Sequence, residues 1–337
     1  MPGPMAATSD FSRSLVGAEP LDPRVMLNPA QIMRVAALIR TLPEAEPFDF
    51  AGDLFPPIGH AATLDFFFAA TLQQFGFWEM QERHYHRPMM ASLNSRLLKG
   101  SDYLWYAYRR QLDRDPAFFS PARQATLARV ELDEILQADD GSNPMPAFHL
   151  HLQVARAYGQ DMLTLRWTPA SIVADVNCSS QPRTALLDML THVGGYKEDP
   201  LRKKAMLLAL ILEQRPERFL HPAPGEAEPP VIDYHLMRSC LRIGLVEIRD
   251  ADLRGRVIER RELAAPDEWA IRVAAYQAIQ QVQQESGRSM GAVDWFFFSA
   301  RQRCPEIIEP DCLHCPVDQV CTHRKELFQP VMRTTYY

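Results

Sequence analysis

At Asn28-Pro29, Ser120-Pro121 and Asp199-Pro200 of this 337-residue chain, a small polar residue stands directly before a proline at the head of an apolar-periodic run. A short polar side chain accepts the free amides of a helix's first turn. Proline fits the first helical position, where its missing N–H has no partner to lose. The three pairs predict helices over 30–42, onward from 121 (with Leu127, Val130, Leu132 and Leu136 along it) and over 201–214. A fourth helix, long and polar-faced, is predicted over 265–286 from Trp269, Ile271, Val273, Ile279 and Val282. No run alternates with period two and no Asn-Gly pair marks a hairpin, so the pattern predicts an all-α fold.

Turn-forming residues interrupt this pattern at three places. Residues 44–57 are rich in proline and acid and read as a linker, while 138–146 and 221–230 read as loops. The chain divides into an N-terminal arm with its first helix (1–54), a helical body (55–300) and a cysteine-bearing tail (301–337). At 47% hydrophobic and 23% charged, the chain has the material for a packed core. Its longest apolar runs, such as 206–212, fall far short of the roughly 20 residues that span a bilayer. The first ten residues lack the basic-then-apolar order of a secretory leader. A cytoplasmic protein without a membrane partner is the expectation. The net charge of −6 argues against a dedicated duplex binder, which needs basic surplus for phosphates, and is neutral about a small anionic substrate.

Four of the six cysteines crowd the last 34 residues as Cys304, Cys312, Cys315 and Cys321. In a reducing compartment such a set reads as thiols or metal ligands rather than disulfides. Four thiolates within 18 positions can wrap one soft metal centre, zinc or iron–sulfur. A zinc ribbon uses two closely spaced pairs, whereas only Cys312 and Cys315 are separated by two residues here. Cys178 and Cys240 stand alone among apolar neighbours and read as core. The aromatics Phe66, Phe67, Phe68, Phe75, Phe77 and Trp78 also read as core. The histidines at 84, 86, 149 and 151 read as surface or core.

The tail resembles the [4Fe-4S] loop of the endonuclease III and adenine-glycosylase branch of the helix-hairpin-helix glycosylases, with one extra residue in the first interval. Asp233, followed by Arg238 and by Arg242-Ile243-Gly244, is similar to the segment in which that superfamily's catalytic Asp opens a helix. The resemblance implies a two-lobed helical, DNA-glycosylase-like fold with a C-terminal iron–sulfur loop and a [4Fe-4S] cofactor, zinc being the alternative. Asp233 would offset the positive charge that develops on a sugar as its N-glycosidic bond breaks. The same residue is also an ordinary N-cap. The superfamily's phosphate-gripping hairpin is echoed only by Leu190 to Lys197. In a second register, Arg202-Lys203-Lys204-Ala205 makes Lys203 a candidate lyase lysine, but Asp199-Pro200-Leu201 stands where glycines should be.

The body resembles the queuosine salvage proteins, relatives of these glycosylases that release queuine from queuosine 5′-phosphate. Three stretches carry the likeness: His60 through Trp78, Gly195-Tyr196-Lys197-Glu198-Asp199 with Arg202, Lys203 and Lys204, and Asp233-Tyr234-His235 with Cys240 to Val246. The long helix from Trp269 and the Asp294-Trp295-Phe296-Phe297 segment also find counterparts. By this resemblance His60 would contact the base, Tyr196 would stack on it, and Glu198 or Asp199 would be the catalytic carboxylate. Asp233 and Tyr234 would hold the substrate. Glu198 and Asp199 equally suit a helix start, His60 a loop, and Arg202 to Lys204 either a solvated face or a phosphate site. The implied activity is an N-glycosyl hydrolase acting on a small modified nucleoside or nucleotide and releasing a 7-deazaguanine-type base. The alternative is an iron–sulfur base-excision DNA glycosylase or lyase, with DNA as its partner.

Overall fold

Two apolar cores, one on either side of a cleft, organise the chain, seen here in a computed structural model that describes residues 20–43 and 46–337. The second core receives the first elements. Strand β1 (Val25–Leu27) leads into α1 (Pro29–Thr41), where the Asn28 side chain accepts the Gln31 amide as predicted from Asn28-Pro29. The hairpin β2 (Trp78–Gln81) with β3 (His84–Pro88) joins the second core through Trp78 and Tyr85. The first core is built from α2 (Thr63–Thr71), the hairpin β4 (Met90–Leu93) with β5 (Arg96–Lys99), and α3 (Gly100–Arg114). It continues through α4 (Pro121–Ala125), α5 (Arg129–Ile135), α6 (Phe148–Leu165), α7 (Pro169–Asn177), α8 (Pro182–Leu190) and α9 (Lys203–Gln214). The chain returns to the second core with α10 (Tyr234–Ile243), β6 (Val246–Ile248), α11 (Ala251–Ile258), α12 (Ala265–Ser286) and α13 (Met290–Ala300). There β6 pairs antiparallel with β1, and α1 lies along α12.

The fold is mostly helical, in keeping with the all-α expectation, and the long helix over 265–286 forms as predicted. The hairpins were not legible. Their two-residue turns, Glu82-Arg83 and Asn94-Ser95, adopt left-handed backbone without glycine, with φ of 48°, 61°, 52° and 60°. The usual hairpin signal depends on glycine at such positions. At the second turn the Asp139 carboxylate accepts both the Asn94 and Ser95 amides at 2.8 Å, which offsets the strain.

Three further expectations need correction. The helix predicted from 121 through 136 is broken into α4 and α5. The stretch read as a linker, 44–57, brings Phe48, Phe50, Leu54 and Phe55 onto the first core, so it is anchored through these side chains while Glu46, Asp49, Gly52 and Asp53 stay exposed. Cys178 is exposed, while Cys240 is buried as expected.

The break after α4 permits an unusually close crossing with α6. A Cβ added at Gly159 of α6 would lie 2.1 Å from the Ala125 amide nitrogen and 2.5 Å from the Pro121 carbonyl oxygen. Backbone cannot retreat as a flexible side chain can. Gly159→Ala should therefore cost at least ~1–3 kcal/mol, the range for overpacked cores, read as a lower denaturant midpoint at unchanged slope. A midpoint equal to wild type would mean that this crossing is loose.

Candidate active site

Three ionisable side chains from three helices meet in the cleft between the cores. Lys203 comes from the first residue of α9, Asp233 from the N-cap of α10 and Asp294 from the second turn of α13. They line a cavity of about 110 Å³ together with Gln74, Phe77, Ser101, Tyr234, His235 and the last residue, Tyr337. A second chamber of about 270 Å³ adjoins it and shares Phe50, Ser101, Trp105, Leu207, Asp294 and Phe298. Its outer wall is aromatic: Phe48 stacks on Trp295 at 4.9 Å, and Trp295 on Phe298 at 5.6 Å. An inner chamber that holds the three ionisable groups thus opens into a vestibule walled by aromatic rings.

Local folding explains each placement. The Asp233 side chain accepts the Leu236 amide at 2.9 Å, so the positive end of α10 faces its carboxylate. Asp294 belongs to a helix that is otherwise almost wholly apolar, Met-Gly-Ala-Val-Asp-Trp-Phe-Phe-Phe-Ser-Ala. Burial pushes its carboxyl up to about 7, and the Asp233 charge adds to this while Lys203 opposes it. Burial draws Lys203 below the usual ammonium range, with Asp233 and Asp294 pulling the other way. His235 is driven well below its ordinary value, by burial first and by Arg238 next, so it stands neutral beside the acids. The buried Gln74 Nε2 has no hydrogen-bond partner from the protein, leaving a donor at the cavity wall.

Behind the cavity, Asp199 and Arg272 form a buried bidentate ion pair, with both nitrogen–oxygen distances 2.7 Å. Asp199 also accepts the Leu201 and Lys203 amides at 3.1 and 2.8 Å, which starts α9 at Lys203. Arg272 reaches the Ile232 carbonyl at 3.3 Å, next to Asp233, and its guanidinium lies 4.8 Å from the Tyr337 ring centre. One ion pair therefore spaces α9, the approach to α10 and the C-terminus around the cavity.

Of the residues singled out in the sequence, Asp233, Lys203 and Tyr234 are brought together in the cavity. The others are not. Glu198 is exposed. Asp199 is buried, but both its oxygens are occupied by Arg272 and by backbone amides. Tyr196 is buried with its hydroxyl donating to the Phe68 carbonyl at 2.6 Å. His60 sits half-buried in the turn before α2, its Nδ1 accepting the Ala62 amide at 3.2 Å. Asp294 was not assigned a role from sequence. Its signal was there: a lone acid inside an apolar helical run is costly to bury, which often marks a functional group.

At the far end of α10, Cys304, Cys312, Cys315 and Cys321 line one small cavity of about 40 Å³ with Arg242, Ile243 and Ala300. The four are half-buried, and Arg242 Nη1 donates to the Cys304 sulfur at 3.2 Å.

Replacing Arg272 by Met would leave the Asp199 charge buried and unpaired. A loss of ~3–5 kcal/mol is expected, read from denaturant midpoints. Arg272→Met with Asp199→Asn should be markedly less destabilised than the sum of the two single changes. Additive losses would show that the pair is not coupled.

Among the described residues no helix is long and apolar enough to cross a membrane. No curated protein matches the chain. Residues 55–204, less than half the chain, match the family model described as queuosine salvage protein; the match takes in Lys203 and ends before Asp233, Asp294 and the four cysteines.

Proposed function

We propose that the cavity hydrolyses the N-glycosidic bond of a queuosine-type nucleoside or nucleotide and releases its 7-deazaguanine-type base. The observation that carries this reading is the pairing of two carboxyl groups in one cleft with opposite environments, Asp233 at a helix N-terminus and Asp294 pushed up to about 7. Environments that separate two acids suit one to remain an anion and the other to hold a proton.

In the proposed reaction the base lies against the Phe48, Trp295 and Phe298 walls, whose flat faces suit a heterocycle. The ribose lies in the inner chamber. As the bond from C1′ to the base breaks, the electron pair leaves with the base, and Asp294 delivers its proton to it. The Asp233 carboxylate offsets the cationic sugar and then takes a proton from the water whose oxygen bonds to C1′. Exchange with solvent returns the proton to Asp294. Lys203 adds a positive charge beside the two acids, and Gln74 offers its free amide to a substrate oxygen.

Mass spectrometry of bases released from queuosine, its 5′-phosphate and a lesion-bearing duplex tests the reading. Base should appear from the small substrates and not from the duplex. Asp233→Asn and Asp294→Asn should each lower kcat by ~10²–10⁴-fold with little change in KM. Because Asp294 works in its protonated form, wild-type activity should fall as pH rises through about 7, and Asp294→Asn should lose that limb. Release from the duplex alone, or an alkaline limb that survives in Asp294→Asn, would overturn the assignment.

A further inference from the structure

Two charged side chains of the vestibule, Asp102 and Arg301, lack an ion-pair partner among the described residues. Asp102, in the first turn of α3, is half-buried and accepts no hydrogen bond from a described residue. Burial raises its carboxyl, and only the more distant charges of Arg301 and Lys99 oppose this. Lys99 is itself engaged by Glu306 at 2.6 Å. Arg301 follows the last residue of α13 with its backbone still helical. Its guanidinium lies 3.7 Å from the Phe298 ring centre, and its buried Nε finds no acceptor. Asp294, Phe298 and Arg301 share one face of α13, so Arg301 lies roughly 10 Å farther along the helix than Asp294. On the α3 side, Ser101 and Trp105 line both chambers, while Asp102 lines the vestibule alone. An acid and a base thus stand in the outer chamber, near enough to sense each other's charge but not joined.

Leaving such groups unmatched is costly, because each has given up water without gaining a protein partner. Their opposite signs restrict what can satisfy both. An ammonium group would gain at Asp102 and lose at Arg301, and a phosphate the reverse. A hydroxyl gains at both, since it donates to a carboxylate and accepts from a guanidinium. Neighbouring hydroxyls suit the couple best, because the two carboxylate oxygens and the forked N–H groups of an arginine each offer more than one contact. We propose that Asp102 and Arg301 form a specificity subsite for a hydroxylated arm on the leaving base, its hydroxyls donating to the Asp102 carboxylate and accepting from the Arg301 guanidinium. The proposal rests on the glycosidic reading above, which places the base among the aromatic walls of the vestibule. The subsite stands apart from Asp233 and Lys203, takes no part in breaking the bond, and decides which base fits.

Binding of free bases to the full chain, read by titration calorimetry, tests the subsite. Queuine and 7-aminomethyl-7-deazaguanine share the heterocycle and a charged aminomethyl group, and only queuine carries a dihydroxylated ring. The wild type should bind queuine about tenfold more tightly or better, the scale of hydrogen bonds to charged groups. Asp102→Asn and Arg301→Met should each remove most of that preference and leave affinity for the aminomethyl base unchanged. A preference that survives in both variants would come from the apolar part of the ring. Equal losses for both bases in Asp102→Asn would mean that Asp102 reads the ammonium. Either result overturns the subsite. Should the variants fail to fold, the wild type alone decides: equal affinity for the two bases, or binding of neither, overturns it. Selective binding without release of base from any nucleoside would sink the glycosidic reading and leave the subsite standing.

Discussion

The Asp199–Arg272 pair is the constraint around which the cleft is arranged. Taking two charges out of water is costly, and a buried pair recovers that cost only with good geometry and further hydrogen bonds. Here both conditions hold, through the bidentate contact, two backbone amides on Asp199 and the Ile232 carbonyl on Arg272. The pair's main consequence is positional. It joins residues 73 apart in sequence and sets Lys203 and Asp233 at the edges of one cavity. A hydrophobic pair of equal volume could fill that space, but it would fix neither the first amides of α9 nor the carbonyl that precedes Asp233.

That fixed frame makes the two acids of the cleft unlike. Asp233 meets the amides that open α10 and stays half-exposed, whereas Asp294 projects from an apolar helix and is raised by burial and by its neighbour's charge. Lys203 opposes the rise at Asp294, while burial weakens its own charge. A cluster of this kind can hold one proton and release it near neutrality, because each member's charge sets the preference of the others. Charge also reaches the cleft from the vestibule, where Asp102 and Arg301 stand among the aromatic walls and the Arg301 guanidinium lies over the Phe298 ring at 3.7 Å.

Legibility in the sequence followed the range of the interactions involved. Local chemistry was readable: Asn28-Pro29 marks the start of α1, and Asp233 before an apolar run marks the start of α10. Asp199-Pro200 also marked a helix start, but the helix begins only at Lys203, after Arg202 takes a left-handed backbone. What depended on partners distant in sequence was not readable. Glu198 and Asp199 are adjacent and chemically alike, and only the arrival of Arg272 from α12 decides that one is buried while the other faces solvent. The same holds for the hairpin turn at Asn94-Ser95, whose left-handed residues are held by Asp139 from a later loop.

The helix α10 brings the remaining parts together. Its N-terminal amides face the acid of the cleft, its C-terminal carbonyls are capped by the tail, and Arg238 and Arg242 along one side bond to both His235 and the cysteine loop. A helix held at both ends has little freedom to fray, so the direction in which its first turn points is set partly at its last. Tyr337 tightens the arrangement further, since the chain's final residue lines the cleft and donates to Glu268 at 2.6 Å beside Arg272. Any change that loosens the tail therefore acts on the cleft by two routes, through the capped end of α10 and through the tyrosine beside the buried ion pair. A site assembled in this way gains its order from elements well outside the stretch that resembles the salvage family.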